Sequence, residues 1–434
     1  MTATTSSEPT TPLRRVVMAS MIGTTIEWYD FFLYNSAAAL VFNRLFFPQY
    51  DPLTGTLLAF ATYALGFVAR PLGGIVFGHF GDRIGRKRLL MLSLILMGVA
   101  TVLIGMLPTY AQIGIAAPAA LIALRLMQGF AVGGEWGGAV LMAAEHGDAA
   151  RRGFWASWPQ AGVAAGFLLS AGMLAAINGM LSEADFLAWG WRVPFLASFV
   201  LVAVGWYIRN RVTESRLFET ALEEAEAPPR MPALEVFRER PKAVLLGAGL
   251  RVGENISYYI LTAFSLTFLV EISEESRALA LNALLAGAAV QFFAIPSFAA
   301  LSDRIGRRTV YAFGAFGLAA WSFALFPLLA SGDNLSIVAA LVVGLVLHGA
   351  MYGPQAAFIT ELFPTRIRYS GVSIAYQLTS IVAGSLAPII ALTLYRHYDS
   401  AIPVALYVAV TCTVSGVSAL LARETRGVEL ADIR

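Results

Sequence analysis

Seven strongly ionisable residues lie inside long apolar stretches of this sequence: Glu27 and Asp30, Arg70, Arg125 and Glu135, and Arg251 and Glu254. A charge at mid-bilayer costs about 3 kcal/mol on insertion scales, so such residues face partners or a water-filled cavity. At about 100° per residue Gly23, Glu27, Asp30 and Tyr34 share one stripe of a helix, with the two carboxylates one turn apart. Carboxylates that close resist joint ionisation, so one can hold a proton and release it when wetted. Asp30 and Glu27 are therefore the candidate proton-coupling residues. The alternative is that both are fixed partners of Arg125 and of Arg70, whose expected role is that of a structural charge partner.

Arg125 falls about 12 residues into its apolar stretch, or ~18 Å at ~1.5 Å per residue, near a bilayer midplane. Its guanidinium fork suits a carboxylate, either one from the first helix or one carried by a substrate. Arg251, Glu254, Asn255 and Tyr258 repeat a polar stripe at i, i+3, i+4 and i+7, readable as substrate contacts or as an internal Arg251–Glu254 pair. His348 and Tyr352 share a face of a later helix and Gln377 lies on the next; Gln160 belongs to an earlier one. Polar groups of this kind orient a cargo in an otherwise apolar site. His348 reads equally well as a satisfied packing residue. Glu135, set among glycines in GGEWGG, is expected in a gate, with Gly129, Gly133 and Gly137 permitting close helix contact.

The elements that must hold these groups follow from composition. Of 434 residues 58% are apolar and only 13% charged, about half the charge density of a soluble domain. At about 20 residues per crossing this supplies about a dozen membrane helices. A soluble enzyme is excluded. Spans are expected near 16–44, 56–79, 89–108, 112–144, 154–178, 193–210, 242–270, 278–301, 309–330, 335–360, 371–395 and 401–422. Of 30 Lys and Arg, 23 fall in alternate connections on the side of both termini, 4 on the other side and 3 within spans, which predicts cytosolic termini. The expected layout is a disordered cytosolic tail at 1–15, six-helix bundles at 16–210 and 242–422, a cytosolic linker at 211–241 and a cytosolic tail at 423–434. The single cysteine, Cys412, forms no internal disulfide, and the four histidines are too scattered for a metal site. No cofactor is expected, and no nucleic-acid partner.

The halves echo each other. GDRIGRKR at 81–88 recurs as SDRIGRR at 302–308, an offset of 221 residues. Parallel repeats predict a pseudosymmetric all-α bundle with its site between the halves. In each copy an acid, Asp82 or Asp303, can accept backbone N–H groups from a neighbouring helix N-terminus and pair with Arg, a latch in one conformational state. The bland reading is a basic topogenic loop.

The stretch from Gly78 through Asp82, Arg83, Gly85 and Arg86 resembles the loop 2–3 signature of the major facilitator superfamily; Asp303, Arg304 and Arg307 belong to its second copy. More specifically, GTTIEWYDFFLY at 23–34, RPLGGIVFGHFGDRIGR at 70–86, RLMQGFAVGGEWGGA at 125–139 and WPQAGVAAG at 158–166 are similar to the metabolite:proton symporter family. The resemblance implies a twelve-helix facilitator fold, helices 1, 4, 7 and 10 around a central cavity, and proton-coupled import of a small molecule across the inner membrane of a prokaryote. Ala299 departs from the pattern where the first repeat has Gly78.

The leading expectation is thus a monomeric proton symporter of a small organic acid. Its close rival is a symporter of a zwitterion such as betaine or proline, sheltered by Trp28, Tyr34, Trp158 and Tyr352 through cation–π contact. Efflux by antiport is weaker, since Gln160 to Gly166 lacks a Gly-Pro pair; no nucleophile triad or metal cluster supports an enzyme.

Overall fold

The computed structural model describes residues 12–50, 52–84, 86–133, 135–210 and 232–433. Twelve helical rods run through the described residues: α1 (13–45), α2 (Pro52–Ile84), α3 (Arg86–Met106), α4 (Ala116–Val132 and Glu135–His146), α5 (Arg152–Met180), α6 (Arg192–Asn210), α7 (241–272), α8 (Arg277–Ile305), α9 (Arg307–Leu329), α10 (Asn334–Thr360), α11 (368–398) and α12 (Ile402–Leu421). Seven of them pass a test of length and apolarity for crossing a membrane, and α6 joins them when its bent lead-in helix is counted. Those that fall short include α1, α7 and α11, whose apolar runs are diluted by the polar residues described below.

The neighbour pattern is repeated. In the first half α1 packs on α5 and α6, α2 on α4, and α3 on α4 and α6; in the second α7 packs on α11 and α12, α8 on α10, and α9 on α10 and α12. The halves meet where α5 lies on α8 and α2 on α11. A wide π-turn at Ala38–Phe42 in α1 recurs at Ile260–Phe264 in α7, at nearly the offset of the sequence repeat.

Two glycine features bear on the site. A Cβ on Gly129 of α4 would strike the backbone oxygen of Gly66 on α2, and one on Gly133 that of Arg70. The two backbones touch, which holds Arg70 and Arg125 side by side. Gly306 takes a φ of 109° between α8 and α9, where a side chain would be strained and the turn could not be so short.

Three boundaries depart from expectation. Helix α1 begins at Leu13, so the last residues of the supposed 1–15 tail are helical; residues 1–11 lie outside the described ones. Residues 211–231 of the linker also lie outside them, but Pro232–Glu239 is an amphipathic helix with Val236 fully buried. Its Glu235 and Glu239 pair with Arg366 at 3.0 and 2.8 Å. The segment after α12 is not a plain tail either: it packs across the end of the bundle.

Candidate functional site

In the first half α1, α2, α3 and α4 enclose a crevice of about 10 Å³, near the lower limit for one water, lined by Glu27, Asp30, Gly66, Arg70, Arg125 and Gln128 among others. Asp30 is 1% exposed and accepts hydrogen bonds from Thr101 Oγ1 of α3 at 2.8 Å and Ser198 Oγ of α6 at 2.9 Å. Thr101 Oγ1 accepts from Gln128 Nε2 at 2.7 Å, and Gln128 Oε1 accepts from Arg125 Nη1 at 3.1 Å. An unbroken line of contacts therefore runs from Arg125 to Asp30.

Neither Arg70 nor Arg125 forms an ion pair among the described residues. Instead Arg125 lies 4.4 Å from the Tyr34 ring and 4.8 Å from Tyr63, and Arg70 lies 4.3 Å from Phe67 and 4.6 Å from Phe31. Nε of each is buried without a hydrogen-bond partner. Arg70, expected as a structural charge partner, thus meets aromatic faces among the described residues and shares its crevice with Glu27. Tyr34 is the platform under Arg125, its hydroxyl fixed to Thr62 Oγ1 at 2.6 Å.

The second half holds a different cluster. Arg251 is closed on Glu254, whose other oxygen meets His348 Nε2 at 3.0 Å; His348 Nδ1 meets Gln291 Nε2 at 2.8 Å, and Gln355 Nε2 donates to Glu254 at 3.3 Å. Tyr258 and Tyr352 flank the His348 ring at 5.0 and 5.4 Å. Asn255 Oδ1 is buried without a partner.

Toward the face that carries the start of α1 and the end of α12, the halves are joined. Gln377 Nε2 donates to Gly133 O at 2.8 Å, Trp136 stacks on Tyr376 at 3.7 Å, and Gln160 accepts from Trp136 Nε1 at 2.6 Å while donating to Tyr352 O at 3.3 Å. Gln160 and Gln377, expected among the substrate contacts, here make contacts within this floor, while Gln377 Oε1 is buried without a hydrogen-bond partner. Below them Arg152 pairs with Glu361 at 2.9 Å and Arg368 with Glu145 at 3.5 Å, each pair crossing between halves. Asp303 accepts from the backbone N–H groups of Gly153 and Phe154 at the start of α5, both at 2.9 Å, and from Arg307 at 2.5 Å. Arg304 is exposed and contributes its carbonyl, which accepts from Arg426. Gly78, Asp82, Arg83, Gly85 and Arg86 of the first copy, with Glu135, lie outside the described residues and side chains.

One family description, "Major Facilitator Superfamily", matches residues 20–388, with a second match over 256–428. The chain belongs to the major facilitator superfamily. Within it, this facilitator falls in the metabolite:proton symporter family. It is 42% identical over 416 residues to the shikimate transporter of Escherichia coli K12, covering 95% of each chain. It is 33% identical over 424 residues to the proline/betaine transporter of the same organism, covering 95% of this chain and 84% of the relative. Among solved structures, the proton:xylose symporter XylE bound to 6-bromo-6-deoxy-D-glucose superposes with a TM-score of 0.80 at 15% identity, over 97% of this facilitator and 98% of that chain. Family and fold are those of transporters rather than enzymes.

The facilitator also uses residues that its sequence left unremarked. Thr101, Gln128, Ser198 and Gln291 are neutral, and nothing in their spacing marks them. The segment after α12 is another: Glu424 caps the backbone of Arg307 and Arg308 at 2.9 and 3.1 Å, Thr425 donates to Glu361 at 2.5 Å, Val428 O accepts from Arg152 at 2.9 Å and Leu430 O from Arg368 at 2.9 Å. Of the aromatic residues suited to a cation cage, Trp28 lies 6.4 Å from Tyr258, which flanks His348 together with Tyr352, while Tyr34 and Trp158 have other neighbours. Tyr34 lies by Arg125, Trp158 faces Phe292 at 6.3 Å, and Tyr352 adjoins His348.

Proposed function

We propose that this facilitator imports a small organic acid together with a proton, by alternating access, acting as a monomer in the inner membrane of a prokaryote with both termini in the cytosol. The observation that carries this reading is the pair of buried guanidiniums, Arg70 and Arg125, that border one crevice with no ion pair among the described residues. Cation–π contact offsets about 2 kcal/mol of the burial of a desolvated cation, less than an anionic partner would supply. A substrate carboxylate completes the site, with Arg125 offering the paired donors of its guanidinium. The relative named a shikimate transporter supports an acid as cargo. Asp30, buried between α3 and α6, is the proton carrier, with Glu27 as its neighbour. The floor of Trp136, Tyr376, Gln160 and Gln377 closes the cytosolic side while substrate enters from the other.

The test uses the purified protein in proteoliposomes with an imposed pH gradient and a panel of radiolabelled acids and betaines. Accumulation of an acid, abolished by a protonophore and competed by acids but not by betaine, is expected. Asp30→Asn should lose uphill accumulation and keep exchange, since the amide keeps the volume but carries no proton. Accumulation that ignores the protonophore and follows sodium overturns the proton reading; competition by betaine alone overturns the acid.

A further inference from the structure

Asp30 and Arg125 do not touch, yet a symporter must make the occupancy of one depend on the other. We propose that Thr101 and Gln128 are positioning residues that transmit the protonation of Asp30 to the anion site at Arg125, so that substrate is gripped when Asp30 carries its proton. This rests on the reading of Asp30 and Arg125 given above.

The argument is one of donor and acceptor counting. The Thr101 hydroxyl has a single proton and two acceptors in reach, Asp30 Oδ2 at 2.8 Å and Met97 O at 3.0 Å. With Asp30 ionised, the proton points to the carboxylate. Charge-assisted bonding polarises the hydroxyl and makes its oxygen a better acceptor for Gln128 Nε2, and each bond in such a chain strengthens the next. Since Nε2 is committed to Thr101, Gln128 Oε1 must face Arg125, where it holds Nη1. With Asp30 protonated, the carboxyl itself becomes a donor to Thr101 or Ser198, and the Thr101 proton turns to Met97 O. The pull on Gln128 slackens and Nη1 is released to a substrate carboxylate. All members are 0–3% exposed, so bulk solvent does not reach the line.

The charged and titratable groups around Asp30 are few. Glu27 and Tyr29 lie on its own helix, Arg125 on α4 and Arg70 on α2. Among the described residues of α3 and α6 the hydroxyls of Thr101 and Ser198 meet it, and α5 packs on this stretch of α1 through Gly162 and Gly166.

Binding of radiolabelled shikimate to the detergent-purified full-length protein, measured from about pH 5.5 to 8.5, tests the relay. Coupling energies between linked sites correspond to about 5- to 150-fold in affinity, so wild-type affinity is expected to weaken at least about fivefold as pH rises. Thr101→Val keeps shape but removes the hydroxyl, and Gln128→Met removes the amide; each should flatten the pH dependence to within about twofold, whatever its affinity at low pH. In proteoliposomes both should lose uphill accumulation and retain counterflow, and Thr101→Ser should restore the pH profile. Valine and methionine variants with weaker binding at every pH and an unchanged profile would show a merely structural role and overturn the relay alone. Wild-type protein that binds neither shikimate nor any acid of the panel overturns the relay together with the acid reading beneath it.

Discussion

In the second half of the bundle Arg251 faces Glu254, Glu254 faces His348 and Gln355, and His348 is held by Gln291. In the first half Arg125 and Arg70 lie against aromatic rings, and the nearest acid reached by hydrogen bonds from Arg125 is two neutral side chains away. The backbones of the two halves repeat each other, but their charge does not. A pseudosymmetric scaffold thus supplies one cluster closed by direct ion pairing and one whose two arginines lack a direct acid contact among the described residues, although Glu27 and Asp30 line the same crevice.

The largest expected effect is on the ion-paired cluster. Removing one partner of a buried ion pair costs about 3–5 kcal/mol, so Glu254→Leu should lower the unfolding midpoint of the purified protein sharply, and Arg251→Met added to it should recover most of the loss. If the double variant is no more stable than the single one, Arg251 is not the group left stranded. In the first half the effect should appear in binding instead. Arg125→Lys keeps the charge and loses the paired donors, and a loss of about 2–5 kcal/mol, or roughly 30-fold to several thousand-fold in affinity, is expected for the true cargo. Wild-type affinity in monodisperse Arg125→Lys protein would move the anion site to Arg251 and undo the contrast.

A smaller change sharpens it. A Cβ on Gly66 would come within 2.8 Å of Arg125 Nε, so Gly66→Ala should displace the guanidinium at a cost of about 1–3 kcal/mol, read as weaker binding by calorimetry with near-normal yield. The smallest effect should fall on the floor between the halves. Trp136→Phe removes the indole N–H bond to Gln160 while keeping an aromatic ring on Tyr376. A loss of about 0.5–1.5 kcal/mol from the closed state is expected as faster modification of a cysteine introduced at the floor; an unchanged rate would mean the bond does not hold the gate.

Much of this was legible in the residues, and the reason is the bilayer. Charges such as Glu27, Arg125 and Glu254 stand out because apolar neighbours surround them, and Arg251 with Glu254 could be paired at one-turn spacing on a single helix. The Asp303 latch was suggested by a motif that occurs twice. Thr101, Ser198, Gln128 and Gln291 were not legible, since hydroxyls and amides are common in membrane helices and their partners sit on other helices. Which face meets which depends on helix rotation, and that is set by contacts such as Gly129 on Gly66. The same holds for Gln160 and Gln377, whose polarity was visible but not the neighbour that takes it up.

The strip that follows α12 has a bearing on how the molecule is made. Two buried arginines, Arg152 and Arg368, each donate a hydrogen bond to a carbonyl of that strip, at Val428 and Leu430. All twelve helices are synthesised before those carbonyls exist. A nascent chain that has inserted its last helix therefore still lacks these two acceptors, and Arg152 and Arg368 gain them only when the strip folds back across that face.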